Sequence, residues 1–70
     1  MKISARNVLK GKVLKIEKGA VNSEVVLELA GGVKIVSVVT NESVKQLGIT
    51  LGKDAYAIVK ASNVMIGVDH

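Results

Sequence analysis

The chain has no cysteine, no proline, one histidine and one aromatic residue, Tyr56, in its 70 residues. Without cysteine it can form neither a disulfide nor a thiolate metal site. The one histidine, His70, ends the chain. No internal histidine, and no carboxylate pair set beside a nucleophile, offers the parts of a catalytic centre, so an enzyme is not expected. A lone aromatic cannot supply the stacking platforms of a single-strand nucleic-acid binder. No apolar run approaches a membrane span, and the start lacks a signal peptide's apolar core. A soluble cytoplasmic protein without membrane contact is the expectation. With no linker and no low-complexity tract, residues 1–70 are read as a single domain.

What is present is aliphatic and basic. Hydrophobic residues make up 49% of the chain, the mean hydropathy is +0.40, and thirteen valines favour strands over helices. A domain of this size buries only about 60% of its unfolded surface. So much aliphatic surface exceeds one small core, and with disulfides and metals excluded, self-association is the remaining support. Ten Lys and Arg against six Asp and Glu give a net charge of +4. That excess attracts anions without specifying nucleic acid, lipid headgroup or small oxyanion.

The hydrophobic pattern predicts five strands and one helix. Val8–Glu17 reads as a long first strand whose alternation fails at Val13, Leu14 and Ile16, with Gly11 as the expected bulge or bend. Lys18–Asn22 connects it to Ser23–Leu29, where Val25, Leu27 and Leu29 share one face. Ala30-Gly31-Gly32 is a tight turn into Val33–Thr40, which is apolar on both faces and so needs a second cover. Asn41 is the expected N-cap of a helix over Glu42–Leu47, with Val44 and Leu47 facing the sheet and Gly48 ending it. Strands at Ala55–Lys60 and Val64–Val68 complete the order. The fold class expected is all-β with one short helix, an OB-fold-like five-stranded Greek-key barrel.

Two polar segments carry most of the chemistry. Ser4-Ala5-Arg6-Asn7 offers a guanidinium fork, a hydroxyl, an amide and an uncrowded backbone. Lys60-Ala61-Ser62 follows a strand into a turn that can aim consecutive N–H groups at one point, an anion-binding nest. Together they offer charge and donors without an acidic acceptor, which suits a small oxyanion. Taken singly, each also fits an ordinary polar arm or a capped turn, and Thr40 fits either a helix cap or a ligand donor. Lys18-Gly19-Ala20-Val21-Asn22 is a third candidate, although on sequence alone a simple connection is the better reading. Lys10, Lys12, Lys15 and Lys18 read as a solvated face.

Met1–Val13, Glu17–Asn22, Ala30-Gly31-Gly32, Val39-Thr40 and Lys60-Ala61-Ser62 with Val64–Asp69 resemble, in order and over the whole chain, the molybdate-binding Mop proteins, or molbindins, of the TOBE/Mop domain type. The resemblance implies an OB-like barrel assembled as a hexamer, a trimer of dimers. It also implies molybdate, and possibly tungstate, as the ligand at intersubunit sites, for intracellular storage or homeostasis. Carried over by residue, the main site uses Ser4, Ala5, Arg6 and Asn7 of one subunit and Lys60, Ala61 and Ser62 of another, with Thr40 contributing. A second site falls at Gly19, Ala20, Val21 and Asn22. His70 extends past the family's usual Val-Asp ending.

The alternatives are an OB-fold single-stranded nucleic-acid module, which the fold and charge permit, and a regulatory or assembly module whose bound anion controls oligomer contacts. Nucleic acid is not the expected partner.

Overall fold

A computed structural model describes residues 1–70. Four strands and one helix follow in the order β1 (Asn7–Lys18), β2 (Asn22–Leu29), β3 (Lys34–Thr40), α1 (Asn41–Leu47) and β4 (Asp54–Val59). They form one antiparallel sheet in the spatial order β3-β2-β1-β4, curled into a half-barrel. The long β1 lies at the centre. It pairs with β2 along its second half and with β4 along its first, so the ends of β1 carry different neighbours.

The broken alternation in β1 is a bulge, and it falls at Leu14. Val13 opposes Leu27, Lys15 opposes Val26 and Ile16 opposes Val25, leaving Leu14 as the extra residue. The bulge resets the phase of the strand, so Val13 and Ile16, three apart, both reach the inner face. Gly11 is therefore not the bulge. Its backbone lies so close to β2 that a Cβ there would meet the Glu28 carbonyl oxygen at 2.8 Å and the Leu29 side chain at 2.9 Å. Gly11→Ala is expected to cost about 1–3 kcal/mol of stability through backbone displacement, readable by urea unfolding.

The inner face holds a small core. Val13, Val25 and Leu27 are buried, with Ile16, Ile35, Val39, Val44, Ile49, Ala55 and Ala57 packed around them. Ala30-Gly31-Gly32 makes the expected tight connection, with both glycines at positive φ. On the outer face the register aligns Lys34, Glu28, Lys12 and Asp54 across β3, β2, β1 and β4, with signs alternating. Opposite charges on facing strands favour this register.

Lys12 and Lys10 close on Asp54 at 3.3 and 3.6 Å. The Lys12 hydrogen bond and charge, then the charge of Lys10, hold the Asp54 carboxyl below its ordinary value of 3.8. A lowered folded-state value contributes stability that is present above 3.8 and is lost as pH falls through the folded value. Asp54→Asn is expected to flatten the acid limb of a stability–pH profile measured by thermal melts. The step is small, because all three side chains are more than half exposed.

Three expectations are corrected. Thr40, not Asn41, caps α1: its Oγ1 accepts from the Ser43 N–H at 3.0 Å. Leu47 does not bury against the sheet and is 74% exposed, while Val44 and, beyond the left-handed Gly48, Ile49 pack on the core. The fifth strand, Val64–Val68, is absent from the single chain, and the strand count is four. After a 3-10 turn at Ala61–Asn63 the segment joins no ladder, and Met65, Ile66 and Val68 are 92%, 86% and 84% exposed.

The half-barrel is incomplete in other respects. The outer edges of β3 and β4 are unpaired, and the apolar concavity between them, lined by Val25, Leu27, Ile35, Val39, Ala57 and Val59 among others, stays open. Val36 and Val38, on the second apolar face of β3, are 57% and 67% exposed.

Candidate functional site

The antiparallel pairing of β1 with β4 sets Asn7 opposite Val59. Arg6 precedes the first and Lys60 follows the second, so the two cations leave the sheet side by side at one corner. Ser4, Ala5 and Arg6, with Ile58, Lys60, Ala61 and Ser62, line one open concavity of about 620 Å³. The two polar segments thus meet within a single chain. Strand pairing over a sequence separation of 52 residues unites them.

The site is made of donors. No carboxylate lines it. The turn after β4 spends its acceptors internally: the Asn63 N–H donates to the Lys60 carbonyl at 2.9 Å and the Val64 N–H to the Ala61 carbonyl at 3.3 Å. The N–H groups of Ala61 and Ser62 donate to no backbone acceptor and remain free beside the Lys60 ammonium. A ring of free N–H, hydroxyl, guanidinium and ammonium groups complements an anion that only accepts hydrogen bonds. The Ile58 contribution escaped the sequence reading. It lies two residues before Lys60 in an extended strand and so shares its face, but nothing marks that apolar side chain as different from its neighbours.

Two expected members stand elsewhere. The Asn7 amide does not line the concavity; its Nδ2 donates to the Val59 carbonyl at 3.2 Å and ties β1 to the end of β4. Thr40 opposes Asn22 in the β2–β3 register, at the other end of β1 from Arg6, where it caps α1.

The Gly19–Asn22 connection forms a second group at that far end. Ala20 shares a depression of about 310 Å³ with Lys18, Ser23, Asn41, Glu42 and Lys45 among others. The Gly19 N–H donates to the Asn22 carbonyl at 2.8 Å, and a Cβ on Gly19 would sit 2.7 Å from that oxygen. Close approach, rather than an unusual backbone angle, is what requires glycine here. The N–H groups of Ala20 and Val21 meet no acceptor in the chain.

Of the lysines on β1, Lys10 and Lys12 face Asp54 and Lys15 faces Glu17 at 3.4 Å. Lys18, the last residue of β1, makes no such pair. No helix is long and apolar enough to cross a membrane.

Comparison with known proteins gives the family. Residues 3–66 match the model of the TOBE domain. A probable molybdenum-pterin-binding protein of Haemophilus influenzae is 54% identical over 69 residues, spanning 99% of this chain and 100% of its own length. Among solved structures, MopII from Clostridium pasteurianum superposes with a TM-score of 0.91 at 52% identity, covering 96% of this chain and 100% of its own. ModG, described as a cytoplasmic molybdate-binding protein and solved with molybdate bound, superposes with a TM-score of 0.94 at 54% identity. That match covers 99% of this chain and 49% of ModG. The chain therefore belongs to the TOBE domain family and, within it, to the Mop proteins or molbindins.

Proposed function

We propose that this protein binds molybdate, with tungstate as the isosteric second ligand, and holds it in the cytoplasm as a store or buffer without catalysing a reaction. The observation that carries the reading is the corner at Arg6 and Lys60. Two fixed cations and two hydroxyls surround a turn whose Lys60 and Ala61 carbonyls are engaged and whose Ala61 and Ser62 N–H groups are free. Molybdate is a dianion at neutral pH with four oxygens that only accept. Phosphate carries a proton part of the time near pH 7 and leaves it without an acceptor here, whereas sulfate matches the pattern and has to be rejected by size.

The main site is assigned to Ser4, Ala5, Arg6, Lys60, Ala61 and Ser62, with Asn7 holding the corner and a second class of site at Gly19–Asn22. An open concavity leaves a bound dianion partly in water, so tight binding calls for a second copy to close it. The exposed Val64–Val68, the free edges of β3 and β4 and the bare Val36 and Val38 support self-association. The assembly proposed is the hexamer, a trimer of dimers, with the sites near its subunit boundaries.

Titration calorimetry of the wild-type protein with molybdate, tungstate, sulfate and phosphate tests this. Saturable binding of the first two at defined stoichiometry, with weak binding of the others, is the expected result. Equal affinity for sulfate, or no binding of molybdate, refutes it.

A further inference from the structure

Asn41 is the residue whose role the molybdate-binding reading leaves unexplained. Thr40 already caps α1, so the asparagine side chain is not needed there. It reaches back to the β1–β2 connection instead. Its Nδ2 donates to the Gly19 carbonyl at 2.9 Å, and its backbone N–H donates to the Val21 carbonyl at 2.8 Å. On its other side Oδ1 accepts from the Ser23 hydroxyl. Ser23 is the one buried polar side chain of the chain, 2% exposed. An amide oxygen cannot serve the Gly19 carbonyl, so the two partners together fix which end of the amide faces which.

The consequence is a sorted turn. With the Asn22 carbonyl accepting from the Gly19 N–H, three of the four carbonyls between Gly19 and Asn22 are engaged inside the protein, two of them by Asn41. The donors of Ala20 and Val21 are left outward and unpaired. Remove the Asn41 amide and the Gly19 carbonyl loses its donor. An unpaired carbonyl that can swing toward the same space as the Ala20 and Val21 N–H groups opposes an anion.

We infer that Asn41, oriented by the buried Ser23 hydroxyl, is a positioning residue that gives the Gly19–Asn22 turn its selectivity for oxyanions. It acts by holding acceptors of the turn away from the ligand. This rests on the second class of site proposed above, and the test keeps the two apart. The main class of site, at the other end of β1, serves as an internal control for folding.

Molybdate titration calorimetry of the full assembled protein is run on wild type, Asn41→Ala and Asn41→Asp. The aspartate keeps an acceptor for Ser23 but has no donor for Gly19. In wild type two classes are expected, and the Ala20 and Val21 amide NMR signals shift as the second class fills. In both variants the main class keeps its affinity and stoichiometry, while the second weakens at least tenfold and those two signals no longer move with molybdate. Retention of both classes in the variants overturns the inference. So does loss of both, since Asn41 would then support the fold rather than the turn. A wild type that binds molybdate in one class only overturns the second site and the role of Asn41 with it, leaving the main site standing.

Discussion

Arg6→Ala is expected to weaken molybdate binding at the main site by about 2–5 kcal/mol, roughly thirty-fold to several thousand-fold in Kd. The physical ground is the loss of one of two fixed cations facing a dianion, in a concavity that supplies no other charge of either sign. Lys60→Ala is expected to behave alike. Arg6→Lys restores the charge but not the planar fork, so its affinity should fall between wild type and alanine. Because Arg6 precedes β1 and makes no ion pair within the chain, the substitution should leave the melting temperature of the ligand-free protein nearly unchanged. Calorimetry and thermal melts on the same samples check both statements. Wild-type affinity in Arg6→Ala removes this corner from consideration as the main site.

Deleting residues 64–70 is expected to break the proposed assembly. Val64, Met65, Ile66 and Val68 are 48%, 92%, 86% and 84% exposed, and each contributes about 1.5–3 kcal/mol when fully transferred from water. Val64 already has extended backbone angles, φ −85° and ψ 122°, and the edges of β3 and β4 carry unpaired backbone groups. Adding the segment to a strand edge on a second copy satisfies both shortages together. Sedimentation velocity should show the full chain as a defined oligomer and the truncated chain as smaller species, with molybdate affinity reduced as the concavities lose their covers. A truncated chain that sediments like the full one places the subunit contacts elsewhere, with Val36 and Val38 as the next surface to alter.

These expectations draw unequally on sequence and structure. The elements were legible where one local signal dominates: the alternation of Ser23–Leu29, the paired glycines after it, and Gly48 closing a short helix. Local signals failed where two residues competed for one role. Thr40 and Asn41 are both good caps in succession, and only the chain's path past Gly19 decides that threonine caps while asparagine turns away. Gly11 and Leu14 both lay in a disturbed strand, and the register with β2 identifies the second as the bulge. Val64–Val68 has the residue types of a strand, yet a strand needs a neighbour, which a pattern within one chain cannot guarantee.

The site divides the same way. Residue types alone determined that Ser4–Arg6 and Lys60–Ser62 would offer donors and positive charge with no acid between them, since that is a property of the side chains. The whole-length resemblance to the Mop proteins likewise needed only the order of residues. Tertiary structure decided that the two segments meet in one chain, because antiparallel pairing of Asn7 with Val59 is a long-range choice invisible to spacing. It also decided which backbone groups remain free. Whether a carbonyl is already spent or an N–H still open depends on partners elsewhere in the chain, and that accounting is what turns a polar segment into an anion site.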